Sequence, residues 1–79
     1  MATDSYHVQA DWDPEAEVWV ATSEDVPGLA TEAETLEALT EKLRVIVPEL
    51  LDANQIHPGS STISLELTSH RHELVQMAS

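Results

Sequence analysis

The chain has no cysteine, which removes both a disulfide framework and a thiolate zinc site and leaves nothing that asks for an oxidising compartment. It has no phenylalanine, and its aromatic content is two tryptophans and one tyrosine. In 79 residues that are 42% hydrophobic, this supports one sheet-and-helix layer pair but no deep core around a large ligand. No window approaches about 18 consecutive apolar residues, and the N-terminus has neither a basic start nor an apolar run of signal-peptide length. A soluble cytoplasmic protein without a membrane span is the expectation.

Basic residues are equally scarce. Three Lys and Arg stand against fifteen Asp and Glu, a net charge of −12. Such a chain repels phosphate backbones, which argues against direct nucleic-acid binding, and it draws in basic proteins. The scarcity also leaves few groups to orient an anionic substrate or stabilise an oxyanion. A domain this small buries only about 60% of its unfolded surface, so a homodimer is a natural source of extra stability.

The organising stretch covers residues 25–51, DVPGLATEAETLEALTEKLRVIVPELL. In Val26-Pro27-Gly28-Leu29, Pro at the second turn position and Gly at the third predict a type II turn, because the third position needs positive φ. A short strand over residues 29–33 follows. Thr35 is the expected helix cap, with Glu32, Glu34 and Glu37 placing negative charge at the positive end of the helix dipole. At helical spacing Leu36, Leu39, Leu43, Ile46, Val47, Leu50 and Leu51 share an arc of roughly 140°, wide enough to cover a sheet. Glu37, Glu41, Glu49 and Asp52 project from the other side, with Val45 and Pro48 among them. Pro48 removes a backbone donor and crowds the carbonyl of Arg44, which predicts a kink or a break into a final turn.

Upstream, residues 6–11 alternate with Tyr6, Val8 and Ala10 on one side, the period of a half-buried strand. Trp12-Asp13-Pro14-Glu15-Ala16 is read as an interruption and turn, returning as a second strand over residues 17–22. That strand is apolar on both parities, Val18 and Val20 against Trp19 and Ala21, which predicts a central position with one face on the helix and the other shielded by a second subunit. Downstream, residues 52–61 have loop vocabulary. Alternation resumes over residues 61–69 with Ile63, Leu65 and Leu67 inward. In the tail, residues 70–79, parity shifts to His70, His72 and Leu74, and the reading stays open between a bulge, an edge strand and a frayed end. An unpaired edge there is a candidate dimerisation surface.

No motif carries a reaction. Asp11, Asp13, Glu15 and Glu17 alternate like the start of an EF-hand loop, but the required Gly is missing and the segment is too short, so acids flanking a hairpin turn is the simpler account. His70 and His72 lack a third convergent ligand, and His7 and His57 are distant and unpaired. Ser23, Ser60, Ser61 and Thr62 have no nucleophile elbow and no paired His and Asp. Neither a catalytic residue nor a cofactor or metal ligand is therefore assigned.

The order of hairpin, Asp-x-Pro-Gly turn, short strand, helix and strand resembles the N-terminal domain of HicB-type antitoxins. The residues that carry the resemblance are Val18-Trp19-Val20-Ala21, Asp25-Val26-Pro27-Gly28-Leu29, Thr31-Glu32-Ala33, Thr35-Leu36-Glu37-Ala38-Leu39 and Lys42-Leu43. The chain is still more similar to a small stand-alone family of unknown function allied to HicB, whose helix ends in the run seen here as Val47-Pro48-Glu49-Leu50-Leu51. The resemblance covers about residues 6–68. It implies an α+β domain of β-β-β-α-β order, partial ribonuclease-H-like, with its sheet covered on one face by a single amphipathic helix. It also implies a homodimer that masks a small basic partner such as an RNA-cleaving toxin, without catalysis of its own. The helix-turn-helix or ribbon-helix-helix that many HicB antitoxins carry has no room before Ser79, and Ala33 stands where a Gly usually precedes the helix. The expected partner surface is Glu37, Glu41, Val45, Glu49 and Asp52. The alternatives are a homodimeric small-ligand-binding or scaffold domain with a pocket at Trp12 or Trp19, and a minimal hydrolase.

Overall fold

In the computed structural model, which describes residues 5–59 and 61–78, the elements follow in the order β1 (Ser5–Asp13), β2 (Val18–Thr22), β3 (Ala30–Ala33), α1 (Leu36–Ala53) and β4 (Ser64–His70). The strands form one mixed sheet in the order β3-β2-β1-β4, with β1–β2 and β2–β3 antiparallel and β1–β4 parallel. This is the α+β, β-β-β-α-β arrangement that the sequence predicts, with β2 inside the sheet and β3 and β4 at its edges. Among the described residues, no helix is long and apolar enough to cross a membrane.

Period-2 alternation sets the two faces of the sheet. Val8 and Ala10 of β1, Trp19 and Ala21 of β2, and Ala33 of β3 turn toward α1 and are buried with Leu39, Leu43, Val47 and Leu51. Leu65 and Leu67 of β4 pair with Tyr6 and Val8 on the same face but remain half-buried. The reason is the helix's position: α1 lies nearest β2 and β3, so β4 receives the least cover. His7, Gln9, Asp11, Glu32, Glu66, Thr68 and His70 fall on the opposite face by register, around half-buried Val18 and Val20. That face is polar, so the two valines lie in a hydrophilic surround.

The first strand runs further than its alternation suggests. Trp12 does not interrupt β1; it pairs with Trp19, and Asp13 pairs with Val18. The rings meet edge to face with centroids 5.3 Å apart, a cross-strand contact that extends the ladder. Asp13 then builds the turn: its Oδ1 accepts from the backbone N–H groups of Glu15 (3.0 Å) and Ala16 (3.3 Å), and its carbonyl accepts from Glu17 N–H (2.8 Å). The alternating acids are thus explained at Asp13 by turn chemistry.

At the other end β1 outruns β2, whose last pair is Gln9 with Thr22. The exposed backbone of His7 is completed by side chains: its N–H donates to Asp25 Oδ2 (2.8 Å) and its carbonyl accepts from Ser23 Oγ (2.5 Å). Ser23 Oγ accepts in turn from Asp25 and Val26 N–H at 3.1 and 3.2 Å. Asp25 of the Asp-x-Pro-Gly motif is therefore a sheet-end cap. The turn beyond it closes as expected, with Leu29 N–H donating to Val26 carbonyl at 3.2 Å and Gly28 at φ 82°.

Thr35 caps α1 by accepting from Ala38 N–H at 3.0 Å. The helix continues through Pro48 to Ala53 and does not break. The outward, exposed placement of Pro48 and Arg44 leaves the lost backbone bond facing solvent, where water can satisfy the carbonyl. The helix ends on a Schellman motif: Ile56 N–H reaches Leu51 carbonyl (2.8 Å) and Gln55 N–H reaches Asp52 carbonyl (3.0 Å), with Gln55 at φ 58°. Asn54 Nδ2 donates to the carbonyls of Leu50 (2.8 Å) and Pro27 (3.2 Å), tying the helix end to the Pro-Gly turn.

Candidate functional site

The five residues expected to meet a partner all lie on the outer side of α1. Glu37, Glu41, Glu49 and Asp52 are exposed, and Val45 is 60% exposed in their midst. Spacings of three and four residues stack side chains into one ridge, which is why the sequence places these positions together. Arg44 Nη1 lies 3.3 Å from Glu41 Oε1 and is the cation of this ridge, but both side chains are well exposed and the pair contributes little to stability. The Lys42 ammonium is engaged elsewhere, donating to the carbonyl of Glu32 at 2.6 Å. The ridge is thus carboxylate-rich and solvated, with none of its side chains in the core, able to receive a cationic surface without unfolding anything.

The residues weighed for catalysis or metal binding do not converge. His7 Nε2 and Thr68 Oγ1 share a hydrogen bond of 2.8 Å across the polar sheet face, while His70 pairs in register with Asp11 and His72 lies beyond the strand. Among the described residues, no group of three His, Asp or Glu is placed to hold a metal ion. Ser23 is committed to the β1 end, and Ser60 lies outside the described residues. An open, polar recess of 420 Å³ lies at His7, Gln9, Thr22, Ser23, Glu24 and Asp25. Its walls are the sheet-end cap itself, which accounts for them structurally.

The tail holds what the sequence reading missed. At its root the parity of β4 is kept. Arg71 continues the helix-side row of Leu65, Leu67 and Ser69, and its guanidinium carbon lies 4.0 Å from the Trp12 ring centroid and 6.0 Å from that of Trp19. Stacking of this kind fixes a planar cation on an aromatic face. The tryptophan pair is therefore occupied by Arg71 rather than presented as an open ligand pocket. Beyond it Leu74, Val75 and Met77 are 92%, 82% and 90% exposed. The sequence signal was available: Arg71 is one of three basic residues in the chain, and it directly precedes a run with apolar residues.

A second uncovered feature lies on the sheet edge. Between α1 and β4 runs an apolar groove of 180 Å³ lined by Leu43, Arg44, Val47, Pro48, Ile63 and Leu65. It continues toward the helix end into a 230 Å³ recess that shares Pro48 and Ile63.

A family model described as "Domain of unknown function (DUF1902)" matches residues 5–78. The chain belongs to the DUF1902 family. This DUF1902 domain is similar to hypothetical protein TTHA1013 from the extremely thermophilic bacterium Thermus thermophilus, whose crystal structure it matches with 49% identity and a TM-score of 0.69. The match covers 92% of this chain and 99% of that one. No curated protein matches the chain. The family match reaches residue 78, so the DUF1902 unit includes the segment beyond β4 as well as the sheet and helix.

Proposed function

We propose that this DUF1902 domain is a non-catalytic, antitoxin-like interaction module: a cytoplasmic homodimer that binds and masks a small basic protein, such as an RNA-cleaving toxin, through the outer ridge of α1. The observation that carries the reading is the ridge itself. Glu37, Glu41, Glu49 and Asp52 stand exposed around Val45 on a helix whose opposite stripe is wholly committed to the core, in a chain of net charge −12. An acidic ridge with one exposed apolar residue at its centre supplies long-range steering and a small desolvated contact, the two requirements of charge-complementary docking. The resemblance to the HicB N-terminal domain supports the antitoxin-like class of partner.

The test is recovery of the tagged domain from its host at low salt, elution by increasing salt, and binding of any stoichiometric basic partner to Glu37→Lys/Glu49→Lys. The expected result is a salt-released partner whose affinity falls at least tenfold with the double reversal while the far-UV circular dichroism is unchanged. Unchanged affinity for the reversed ridge at low salt removes this face from the reading.

A further inference from the structure

We infer that the segment after β4, residues 71–78, is an exchange arm: in a pair of DUF1902 chains each copy lays it antiparallel along the free edge of the other copy's β4, filling the groove between α1 and β4. The inference deepens the homodimer half of the proposed function by naming the surface and the occupant.

Four observations on different parts of the molecule converge. First, the arm carries uncovered apolar side chains, with Leu74, Val75 and Met77 82–92% exposed, on a molecule that measures 57 × 25 × 19 Å. Second, its root is tied down next to the last pair of β4, where Arg71 lies over Trp12. Folding back onto its own β4 would need a tight reversal, and residues 69–79 contain no Gly, Pro, Asn or Asp to make one. Third, among the described residues β4 is an edge strand with no strand on its outer side, and the α1–β4 groove lies along it. Fourth, the dimensions agree: eight extended residues span about 26 Å and the seven of β4 about 23 Å.

Parity selects the register. A two-fold axis perpendicular to the sheet joins the two edges antiparallel and keeps the helix side of one copy on the helix side of the other. Laid down as a strand from Arg71, which is on the helix side over Trp12, the arm brings Glu73, Val75 and Met77 into the helix-side row of Leu65 and Leu67 by period 2, to meet the apolar side of the second copy's edge. With the axis at His70, Val75 faces Leu65 of the second copy and Met77 faces its Ile63, both groove-lining residues. Near the axis lie Ser69, His70, Arg71 and His72, a stretch with no acidic residue, so contact is made where self-repulsion of a −12 chain is least. The polar sheet face and the carboxylate ridge of α1 offer a second copy no comparable apolar seat.

The experiment uses the full chain alone, so its result is independent of any toxin-like partner. Equilibrium sedimentation is expected to give twice the monomer mass. Val75→Asp/Met77→Asp, which touches nothing in the chain's own core, is expected to weaken the dimer on the order of a hundredfold while leaving circular dichroism unchanged. Because the chain has no cysteine, Leu65→Cys/Val75→Cys is expected to form a reducible dimer band on oxidation, and Val75→Cys alone to form none, since those positions lie far apart across the axis. A dimer that survives Val75→Asp/Met77→Asp overturns the arm while sparing the homodimer. A wild-type monomer overturns both, and leaves the basic-partner reading to be judged on the α1 ridge.

Discussion

The chain divides into a part that finds its partners within itself and a part that does not. From Ser5 to Ile56, every apolar residue of the helix stripe is buried or half-buried, and the backbone at strand and helix ends is completed by Asp13, Ser23, Asp25, Thr35 and Asn54. From β4 onward the cover thins, with Leu65 and Leu67 half-buried and Leu74, Val75 and Met77 open. The two parts have similar local character, alternating strands and apolar side chains. They differ in what lies opposite: α1 sits over β2 and β3, and its reach ends before the β4 edge. Cover, not composition, separates a core from an interface.

Substitutions sharpen that contrast in order of size. Leu43→Ala removes a fully buried side chain at the centre of α1, with an expected loss of about 2–5 kcal/mol, read by chemical denaturation. In a domain this small, that is a large share of total stability, and the protein is expected to be partly unfolded at physiological temperature. Gly28→Ala is next, at about 1–2 kcal/mol. A Cβ there meets Leu50 Cδ2 at an ordinary 3.7 Å, so the cost is the positive φ of the turn and not a clash. Gly28→Asn, which tolerates that conformation better, should recover part of the loss.

Gln55→Gly tests the opposite sign. Gln55 holds the left-handed position of the Schellman motif, and glycine there is expected to raise stability by about 0.5–1 kcal/mol, seen as a higher midpoint at unchanged denaturant slope. Arg71→Ala is the smallest change within the monomer, about 0.5–1 kcal/mol. It is expected to alter tryptophan emission, because the cation leaves the Trp12 and Trp19 rings, and to loosen the arm at its root. If Arg71→Ala costs as much as Leu43→Ala, the arm belongs to the core and the contrast between the two parts fails.

Much of the first part was legible in the residues. The Pro-Gly turn, the Thr35 cap and the seven-residue apolar stripe are local patterns, and each appears where its spacing puts it. The exceptions are instructive. Trp12 reads as a strand end next to Asp13 and Pro14, yet the Trp19 ring opposite keeps it in the ladder. Pro48 reads as a kink or a break into a final turn, yet the helix runs on to Ala53, because the bond it removes lies on the solvated side of a helix held by Leu43, Val47 and Leu51. In the tail, two histidines and Leu74 at alternate positions look like a new inward row, while the residue that turns inward is Arg71, over Trp12. The acidic ridge was legible as a set of positions, because helical spacing alone groups Glu37, Glu41, Val45, Glu49 and Asp52. The α1–β4 groove was not, since it exists only between elements brought together by the fold.

By itself, the sequence determined the type and order of the elements, the turn at Gly28, and which side of α1 is apolar. These depend on dihedral preference and side-chain period within a few residues. Tertiary structure alone decided that β4 joins β1 in parallel and forms an edge, that Asp25 and Ser23 finish β1, and that Arg71 settles on Trp12. It also left the arm without a seat in its own chain. Those outcomes depend on contacts between residues 16 to about 60 positions apart, whose relative placement is fixed only when the sheet closes against the helix and its free edge shows what has not been covered.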